Sequence, residues 1–392
     1  MAITLINGRV LTGDAFRTDV SVTVEGDRIT RVGRGPSPGD EVQDLGGALL
    51  VPGFIDTQVN GGGGILFNDC PTADCIDAIG RAHRRFGTTG FLPTLISDDL
   101  SVIDTAITAV ETAIARGVPG VLGIHIEGPF LNASRKGVHD ASKFRTLDDR
   151  AIALLTRLKS GRTLVTLAPE TTTPAMITRL VQAGAVVAAG HTDADYATTR
   201  SALNAGMTGF THLFNAMSPL SSREPGAVGA ALEDINSWCG LIVDGHHVDP
   251  VVLKLALRCR PRNRFMLVTD AMPSVGSPEE HFMLQGRRIT VRDGRCLDPD
   301  GVLAGSDLNM VAAVRNARDL MDLDLPSAVV LATANPAEFL GLGDVRGRIQ
   351  PGFAADLAVL DSDLTVVETW VGGRRLVNDP ALVTPQSAGS GL

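Results

Sequence analysis

The sequence predicts an α/β fold: a (β/α)₈ TIM-type barrel joined to a small β-sandwich domain built from both chain ends. Three observations support this prediction. In the middle of the chain, eight short apolar runs alternate with stretches of helical length. Both ends instead alternate apolar and polar residues, which is typical of short strands. Finally, such a barrel needs about 250 residues, so the 392 residues of the chain leave room for a second unit.

The middle of the chain supplies the predicted barrel. Strands separated by helical segments favour a parallel sheet, and a count of eight favours closure into a barrel. The predicted strands span 51–56, 89–95, 121–127, 164–167, 186–191, 209–214, 239–244 and 265–270. The predicted helices span 75–86, 102–116, 148–158, 174–183, 194–205, 250–259, 306–323 and 327–340, and a hairpin insertion covers 277–303.

The two ends of the chain supply the predicted β-sandwich. Residues 1–51 form its N-terminal part, residues 52–345 form the barrel, and residues 346–383 form its C-terminal part. The segment 384–392 is small and polar, so we expect a flexible tail. The barrel therefore interrupts the smaller domain.

Charge and composition exclude several classes of partner. The formal net charge of −9 disfavours nucleic acid and anionic membranes, and an aromatic content of 4% disfavours base stacking. No membrane span or signal-peptide pattern is present, so we expect a cytoplasmic protein. The five cysteines form no CxxC pair. We therefore expect neither a disulfide framework nor a zinc ribbon, and Cys70 and Cys75 have spacing typical of neither redox nor metal-binding sites.

Polar residues appear where four predicted strands stop: Glu127, His191, His212 and Asp270. In a (β/α)₈ barrel these ends meet at one mouth, where active sites lie. One carboxylate and two imidazoles can hold a catalytic divalent metal, and a further carboxylate can act as acid and base in hydrolysis. Taken singly, His191 or His212 is equally consistent with a hydrogen-bonded barrel histidine. Glu127 alone is consistent with a buried ion pair or a cap, and Asp270 alone with a helix N-cap. Four such polar residues at the ends of four strands of one barrel favour a catalytic metal site over these separate structural roles.

The motifs resemble those of the amidohydrolase superfamily, and in particular of its N-acetylglucosamine-6-phosphate deacetylase family. The resemblance runs along nearly the whole chain. It is carried by PGFID at 52–56, HIEGPF at 125–130, KGVH at 136–139, AGH at 189–191, THLFNAM at 211–217, REPG at 223–226, DGHHVD at 244–249, VTDA at 268–271 and LAGS at 303–306.

The resemblance implies a function: removal of the acetyl group of N-acetyl-D-glucosamine 6-phosphate, giving D-glucosamine 6-phosphate and acetate. It implies that Glu127, His191 and His212 bind one divalent metal and that Asp270 assists attack by a metal-activated water. The implied metal is zinc, with iron or another transition metal as the alternative, and the implied assembly is a homodimer. The resemblance also implies two groups of substrate-binding residues. Those around the sugar are Val138, His139, Asn215, Ala216, Leu303, Ala304 and Gly305. Those at the 6-phosphate are Arg223 and His247, which bind it either within one chain or from the neighbouring subunit of the dimer.

The segment just after the first predicted strand departs from the wider superfamily. Most members carry His-x-His there, which holds a second metal, whereas this chain has Gln58 and Asn60. Neutral amides are poor ligands beside imidazole or carboxylate, so we expect these to be vestigial positions and only one metal to bind tightly. The glycine run at 61–64 lacks the Lys-Ser/Thr of a phosphate-binding loop, and we expect a flexible loop at the mouth.

Two other functions stand as alternatives: an amidohydrolase acting on a cyclic amide, and a non-catalytic barrel that has lost its metal. The Arg223 motif and the absence of His-x-His disfavour the first, and the presence of all four strand-end residues disfavours the second. Other N-acetylhexosamine phosphates and other acyl groups remain alternatives to the glucosamine compound.

Overall fold

A computed structural model describes residues 2–377. Its centre is a sheet of eight parallel strands, each paired with the next in chain order, which confirms the predicted barrel. We number these strands β1 to β8. They are β1 (Phe54–Val59), β2 (Thr88–Ile96), β3 (Gly123–Glu127), β4 (Arg162–Leu167), β5 (Val186–Ala189), β6 (Gly209–Phe210), β7 (Trp238–Leu241) and β8 (Phe265–Leu267).

The sheet closes between β8 and β1 through a few contacts rather than a regular ladder. The Asp270 backbone N–H donates to the Gln58 carbonyl at 3.1 Å, and the Asn60 N–H donates to the Ala271 carbonyl at 2.9 Å. Beneath them, the Thr269 hydroxyl donates to the fully buried Asp56 carboxylate at 2.5 Å. The residues after β8 are therefore fastened directly to the end of β1.

Ten α-helices accompany the sheets in the described part of the chain. Most begin at a Thr, Asp or Asn whose side chain accepts a hydrogen bond from the first turn, as at Thr72, Asp148 and Asp195. The helices are α1 (Ala73–Arg84), α2 (Leu100–Ala115), α3 (Asp149–Leu155), α4 (Pro174–Gln182), α5 (Tyr196–Asn204), α6 (Gly226–Glu233), α7 (Pro250–Cys259), α8 (Met310–Met321), α9 (Leu325–Leu331) and α10 (Ala334–Phe339).

One helix prediction was wrong, and one helix was missed. The predicted helix over 327–340 is two helices, α9 and α10, because the backbone of Thr333 between them has φ −133° and ψ −82° and cannot continue a helix. Helix α6 was missed, because it consists mainly of Gly and Ala and is buried on most sides, so it carries no apolar–polar period.

The chain ends form two sheets packed face to face, as predicted. Strand Leu357–Leu360 pairs antiparallel with Leu49–Pro52, which joins the two ends in one six-stranded sheet. A cluster that includes the fully buried Trp370 fills the space between this sheet and a four-stranded one. In sheet order the strands are Arg374–Val377, Val366–Val371, Leu357–Leu360, Leu49–Pro52, Arg9–Thr12 and Ala15–Arg17, and then Arg28–Gly33, Ser21–Glu25, Ala2–Ile6 and Glu41–Asp44.

The boundaries at 51/52 and 345/346 stay predictions, and the predicted tail at 384–392 lies outside the described residues, as do residues 378–383. No helix among the described residues is long and apolar enough to cross a membrane.

The predicted hairpin insertion is a larger unit than expected. It is a four-stranded antiparallel sheet of His281–Leu284, Arg287–Arg292, Arg295–Leu297 and Leu303–Ser306. Its last strand returns to the barrel, where the Ser306 N–H donates to the Asp270 carbonyl at 2.9 Å. The insertion thus forms part of the wall around the mouth.

The glycine run is ordered and not a flexible loop. Strand Gly61–Gly62 pairs with Ile65–Leu66, and a ring nitrogen of the buried His83 lies 2.8 Å from the Gly61 carbonyl oxygen. A Cβ atom on Gly61 would lie 2.3 Å from the Ile65 carbonyl oxygen, so this tight hairpin requires glycine.

The cysteine spacing did not reveal the single disulfide that Cys70 and Cys75 form. Helix α1 begins between them, and its first turn folds Cys75 back until the two Cα atoms are 6.1 Å apart.

Candidate active site

The strand ends bring the four predicted residues to one mouth. Glu127 is the last residue of β3, and His191, His212 and Asp270 follow β5, β6 and β8 within three residues. Those three have left-handed backbones, with φ of 49°, 33° and 54°. Non-glycine residues rarely adopt this region, and such strain gathers at functional sites. The sharp turn at each strand end is a feature that the sequence pattern did not reveal.

Three donor atoms converge at the centre of the mouth. The Glu127 Oε1 atom lies 3.1 Å from His191 Nε2 and 3.0 Å from His212 Nε2, and the two Nε2 atoms are 3.2 Å apart. All three side chains are buried. The ligand atoms of Glu127, His139 and His191 also lie within 4.8 Å of one another, so four side chains surround the same point.

The hydrogen bonds of the rings separate the roles of these histidines. His191 Nδ1 lies 2.9 Å from the Arg135 carbonyl, which only accepts, so Nδ1 carries the proton and Nε2 presents a lone pair to the carboxylate. Two acceptors facing each other at 3.1 Å need a cation or a proton between them. This arrangement fits a bound divalent metal, for which carboxylate and imidazole are suitable ligands.

His139 has the opposite arrangement. Its Nδ1 accepts a hydrogen bond from the Ser97 backbone N–H at 3.3 Å and lies 2.8 Å from the Ser97 hydroxyl. The neutral ring therefore carries its proton on Nε2, which makes that nitrogen a donor and a poor metal ligand. Burial, followed by repulsion from His191, lowers the pKa of His139 to about 3 and keeps the ring neutral. His139 is thus suited to donate a hydrogen bond to a substrate oxygen.

The two carboxyl groups have different proton affinities. Burial opposes ionisation of Glu127, but the adjacent imidazole rings of His191 and His212 hold its pKa well below the usual range. Burial, followed by repulsion from Glu127, raises the pKa of Asp270 to about 6. At neutral pH Asp270 can therefore accept a proton and return it, as an acid–base group must.

Gln58 and Asn60, predicted as vestigial metal positions, contact both carboxylates. Asn60 Nδ2 donates to Asp270 Oδ1 at 2.6 Å, and Gln58 Nε2 donates to the same oxygen at 3.0 Å. Gln58 Nε2 also lies 3.2 Å from each oxygen of Glu127.

A cavity of about 180 Å³ opens beside this centre. Most of the predicted substrate-binding residues line it, namely Val138, His139, Asn215, Ala216, His247, Leu303 and Gly305. Two do not. Ala304 is fully buried in the apolar cluster behind the wall, and Arg223 is exposed and does not line the cavity. The described lining contains no lysine or arginine.

His247 is held in place by Asp244. Its Nδ1 atom lies 2.6 Å from Asp244 Oδ2, which leaves Nε2 as the ring nitrogen available to a ligand. Burial opposes ionisation of Asp244, but the His247 hydrogen bond lowers the pKa of this carboxyl.

Sequence reasoning missed two residues that orient the histidines. Ser97 directly follows β2, so attention to every strand end would have found it. Arg135 acts through its backbone carbonyl, which no side-chain motif can reveal.

The fold and this donor set define the class of protein. A (β/α)₈ barrel whose strand ends gather a carboxylate, two imidazoles and a second carboxylate is typical of metal-dependent hydrolases. The model of the amidohydrolase family matches residues 49–376. The chain belongs to the amidohydrolase family.

Particular relatives narrow this class to amino-sugar phosphate deacetylases. An N-acetylgalactosamine-6-phosphate deacetylase from Shewanella sp. is 46% identical over 333 residues, covering 85% of this chain and 84% of that protein. An N-acetylglucosamine-6-phosphate deacetylase from Haemophilus influenzae is 33% identical over 383 residues, covering 95% of this chain and 99% of that protein. The crystal structure of N-acetylglucosamine-6-phosphate deacetylase from Pasteurella multocida superposes with a TM-score of 0.93 at 31% identity, covering 96% of this chain and all of that one.

Proposed function

We propose that the protein hydrolyses the acetamide of N-acetylglucosamine 6-phosphate to glucosamine 6-phosphate and acetate, in amino-sugar catabolism and cell-wall sugar recycling in the cytoplasm. The observation that carries the proposal is the convergence of Glu127, His191 and His212 beside Asp270 at the floor of the cavity. The family and the activities named for its relatives support deacetylation of an amino-sugar 6-phosphate.

Glu127 Oε1, His191 Nε2 and His212 Nε2 would hold one divalent metal, which we propose to be zinc, with iron as the alternative. When bound, such a metal polarises the acetyl carbonyl and lowers the pKa of a nearby water.

The residues around the metal would carry the protons. Asp270 takes one proton from the attacking water while the oxygen of that water bonds to the acetyl carbon. His139 Nε2–H donates to the carbonyl oxygen as negative charge develops on it. Asp270 then gives its proton to the sugar nitrogen as the C–N bond breaks, so that acetate and the amine leave.

The phosphate would be bound at the edge of the cavity. His247 lines the cavity, but a dianion requires more positive charge than the described lining offers. We propose that Arg223 supplies it from a second copy of the chain, because Arg223 is exposed outside its own cavity and the guanidinium fork suits phosphate. The protein would then act as a homodimer.

Replacement of Arg223 by alanine tests the phosphate proposal. We expect the KM for N-acetylglucosamine 6-phosphate to rise about 10–100-fold, the value of one charge-assisted contact. The KM for unphosphorylated N-acetylglucosamine should not change. Arg116→Ala, which removes an exposed arginine paired with Asp74, is the matched control. An equal effect of Arg223→Ala on both substrates would contradict the assignment.

N-acetylgalactosamine 6-phosphate is the second candidate substrate. The Shewanella relative named for this compound is more similar, at 46%, than the Haemophilus relative named for the glucosamine compound, at 33%. Acetate release should be measured on both 6-phosphates and on both unphosphorylated sugars. The proposal predicts the highest kcat/KM with N-acetylglucosamine 6-phosphate. A higher kcat/KM with N-acetylgalactosamine 6-phosphate would contradict the proposal and identify that compound as the substrate.

A further inference from the structure

The end of β1 carries two amides that meet the Asp270 carboxylate. Gln58 lies in β1 and Asn60 directly follows the strand; both side chains reach the same carboxylate, and each residue is only 1% exposed. Both amide nitrogens donate to one oxygen of Asp270, Oδ1, at 3.0 and 2.6 Å. In the described part of the chain, no hydrogen bond is found to the other oxygen, Oδ2, and Asp270 lines the cavity.

The backbone of the same segments is fixed as well. Across the closure of the barrel, the Asp270 backbone N–H donates a hydrogen bond to the Gln58 carbonyl, and the Asn60 backbone N–H donates one to the Ala271 carbonyl. The buried Asp56 carboxylate accepts from the Gln58 backbone N–H at 3.1 Å and from the Thr269 hydroxyl. The amides and the carboxylate therefore belong to one rigid unit.

This geometry differs from that of a degraded metal site. Both amides direct N–H groups, which cannot bind a cation, towards the carboxylates. A carboxylate with one oxygen held by two donors has its second oxygen in a defined direction. Proton transfer depends strongly on such orientation, since a displacement of about 1 Å can reduce rates about 10²-fold.

We propose that Gln58 and Asn60 are positioning residues for Asp270: they hold its Oδ1 and so direct Oδ2 towards the water and the amide nitrogen of the substrate. The role rests on the proposed function. It replaces the expectation that these two positions are vestigial.

Asn60→Leu tests the role, because leucine has a similar volume and no N–H. In the metal-loaded enzyme we expect kcat to fall about 10–100-fold, KM to stay within about twofold, and metal content to stay the same. Asn335→Leu is the matched control. It removes an equally buried amide that donates to the Phe265 carbonyl at 2.6 Å, at the opposite end of β8 from Asp270. It should lower stability without lowering kcat.

A double-mutant cycle shows whether Asn60 acts through Asp270. In an Asp270→Asn background, Asn60→Leu should have little further effect on the remaining turnover, since the group that it orients is gone. The same fold-loss in both backgrounds would overturn the proposal. So would a loss of kcat that added metal restores, because the amides would then support the metal and not Asp270.

Crystal structures of the wild type and Asn60→Leu provide a test that does not depend on activity. The proposal predicts one carboxylate orientation of Asp270 in the wild type and a rotated or divided one in the variant. An unchanged carboxylate would overturn it. Failure of the proposed function has a different signature: the metal-loaded wild type would release no acetate from either sugar phosphate.

Discussion

Asp270→Asn is expected to reduce kcat about 10²–10⁴-fold, the range for loss of a general acid–base group. Asparagine keeps the shape of the side chain but cannot take the proton of the attacking water or return it to the leaving amine. Because Asp270 forms no hydrogen bond to His191 or His212, bound metal should remain at the wild-type level. Turnover and metal content are to be measured on the same preparation.

The matched control for this variant is Asp356→Asn. Asp356 is also buried, but it pairs with Arg346 beside the end sheets and lies away from the cavity. Near-normal turnover of Asp270→Asn, or an equal loss in the control, would show that Asp270 is not the acid–base group.

Glu127→Gln is expected to reduce metal affinity by at least about 100-fold and to reduce turnover in parallel. The carboxylate oxygen lies about equally close to both imidazole nitrogens, at 3.0 and 3.1 Å, and a neutral amide neutralises no cation charge. Altered supporting residues around metal ligands already cost about 10–100-fold in affinity. Metal titration followed by fluorescence or calorimetry gives the affinity directly.

Excess metal provides the check on this variant. High zinc should restore part of the turnover, because the two histidines remain. Glu170→Gln is a suitable control, since Glu170 is a carboxylate at the mouth that bonds to Asn132, Thr192 and the Asp193 backbone but to none of the three candidate ligands. Unchanged metal affinity in Glu127→Gln would exclude Glu127 as a ligand.

Much of the barrel could be predicted because its strands are buried on both faces and read as short apolar runs between helical segments. The predicted strand at 209–214 nevertheless shrinks to Gly209–Phe210, since His212 has already turned into a left-handed conformation. Strand ends depend on such turns, which the apolar pattern does not record.

The site, like the barrel, has features that the sequence predicted and features that it did not. Glu127, His191, His212 and Asp270 could be predicted because they are polar residues at the ends of apolar strands. The proton positions on His191 and His139 could not be predicted, because they depend on backbone groups distant in sequence, the Arg135 carbonyl and the Ser97 N–H. The contacts of Gln58 and Asn60 with Asp270 cross the closure of the barrel, joining residues more than 200 positions apart.

The cysteines show a further limit of pattern reasoning. Without a CxxC motif the pair at 70 and 75 gave no signal, yet the start of α1 between them brings the two residues into bonding distance. Likewise, the motif that contains Arg223 suggested a position at the mouth, whereas in a single chain this side chain is exposed outside the cavity.

The most direct test is to strip the protein with a chelator, restore zinc stepwise, and measure acetate release from N-acetylglucosamine 6-phosphate together with metal content. We expect no turnover in the stripped protein, activity that rises in proportion to metal up to one ion per chain, and one glucosamine 6-phosphate for each acetate. Full turnover without metal, or no acetate from the fully loaded protein, would contradict metal-dependent deacetylation at Glu127, His191 and His212.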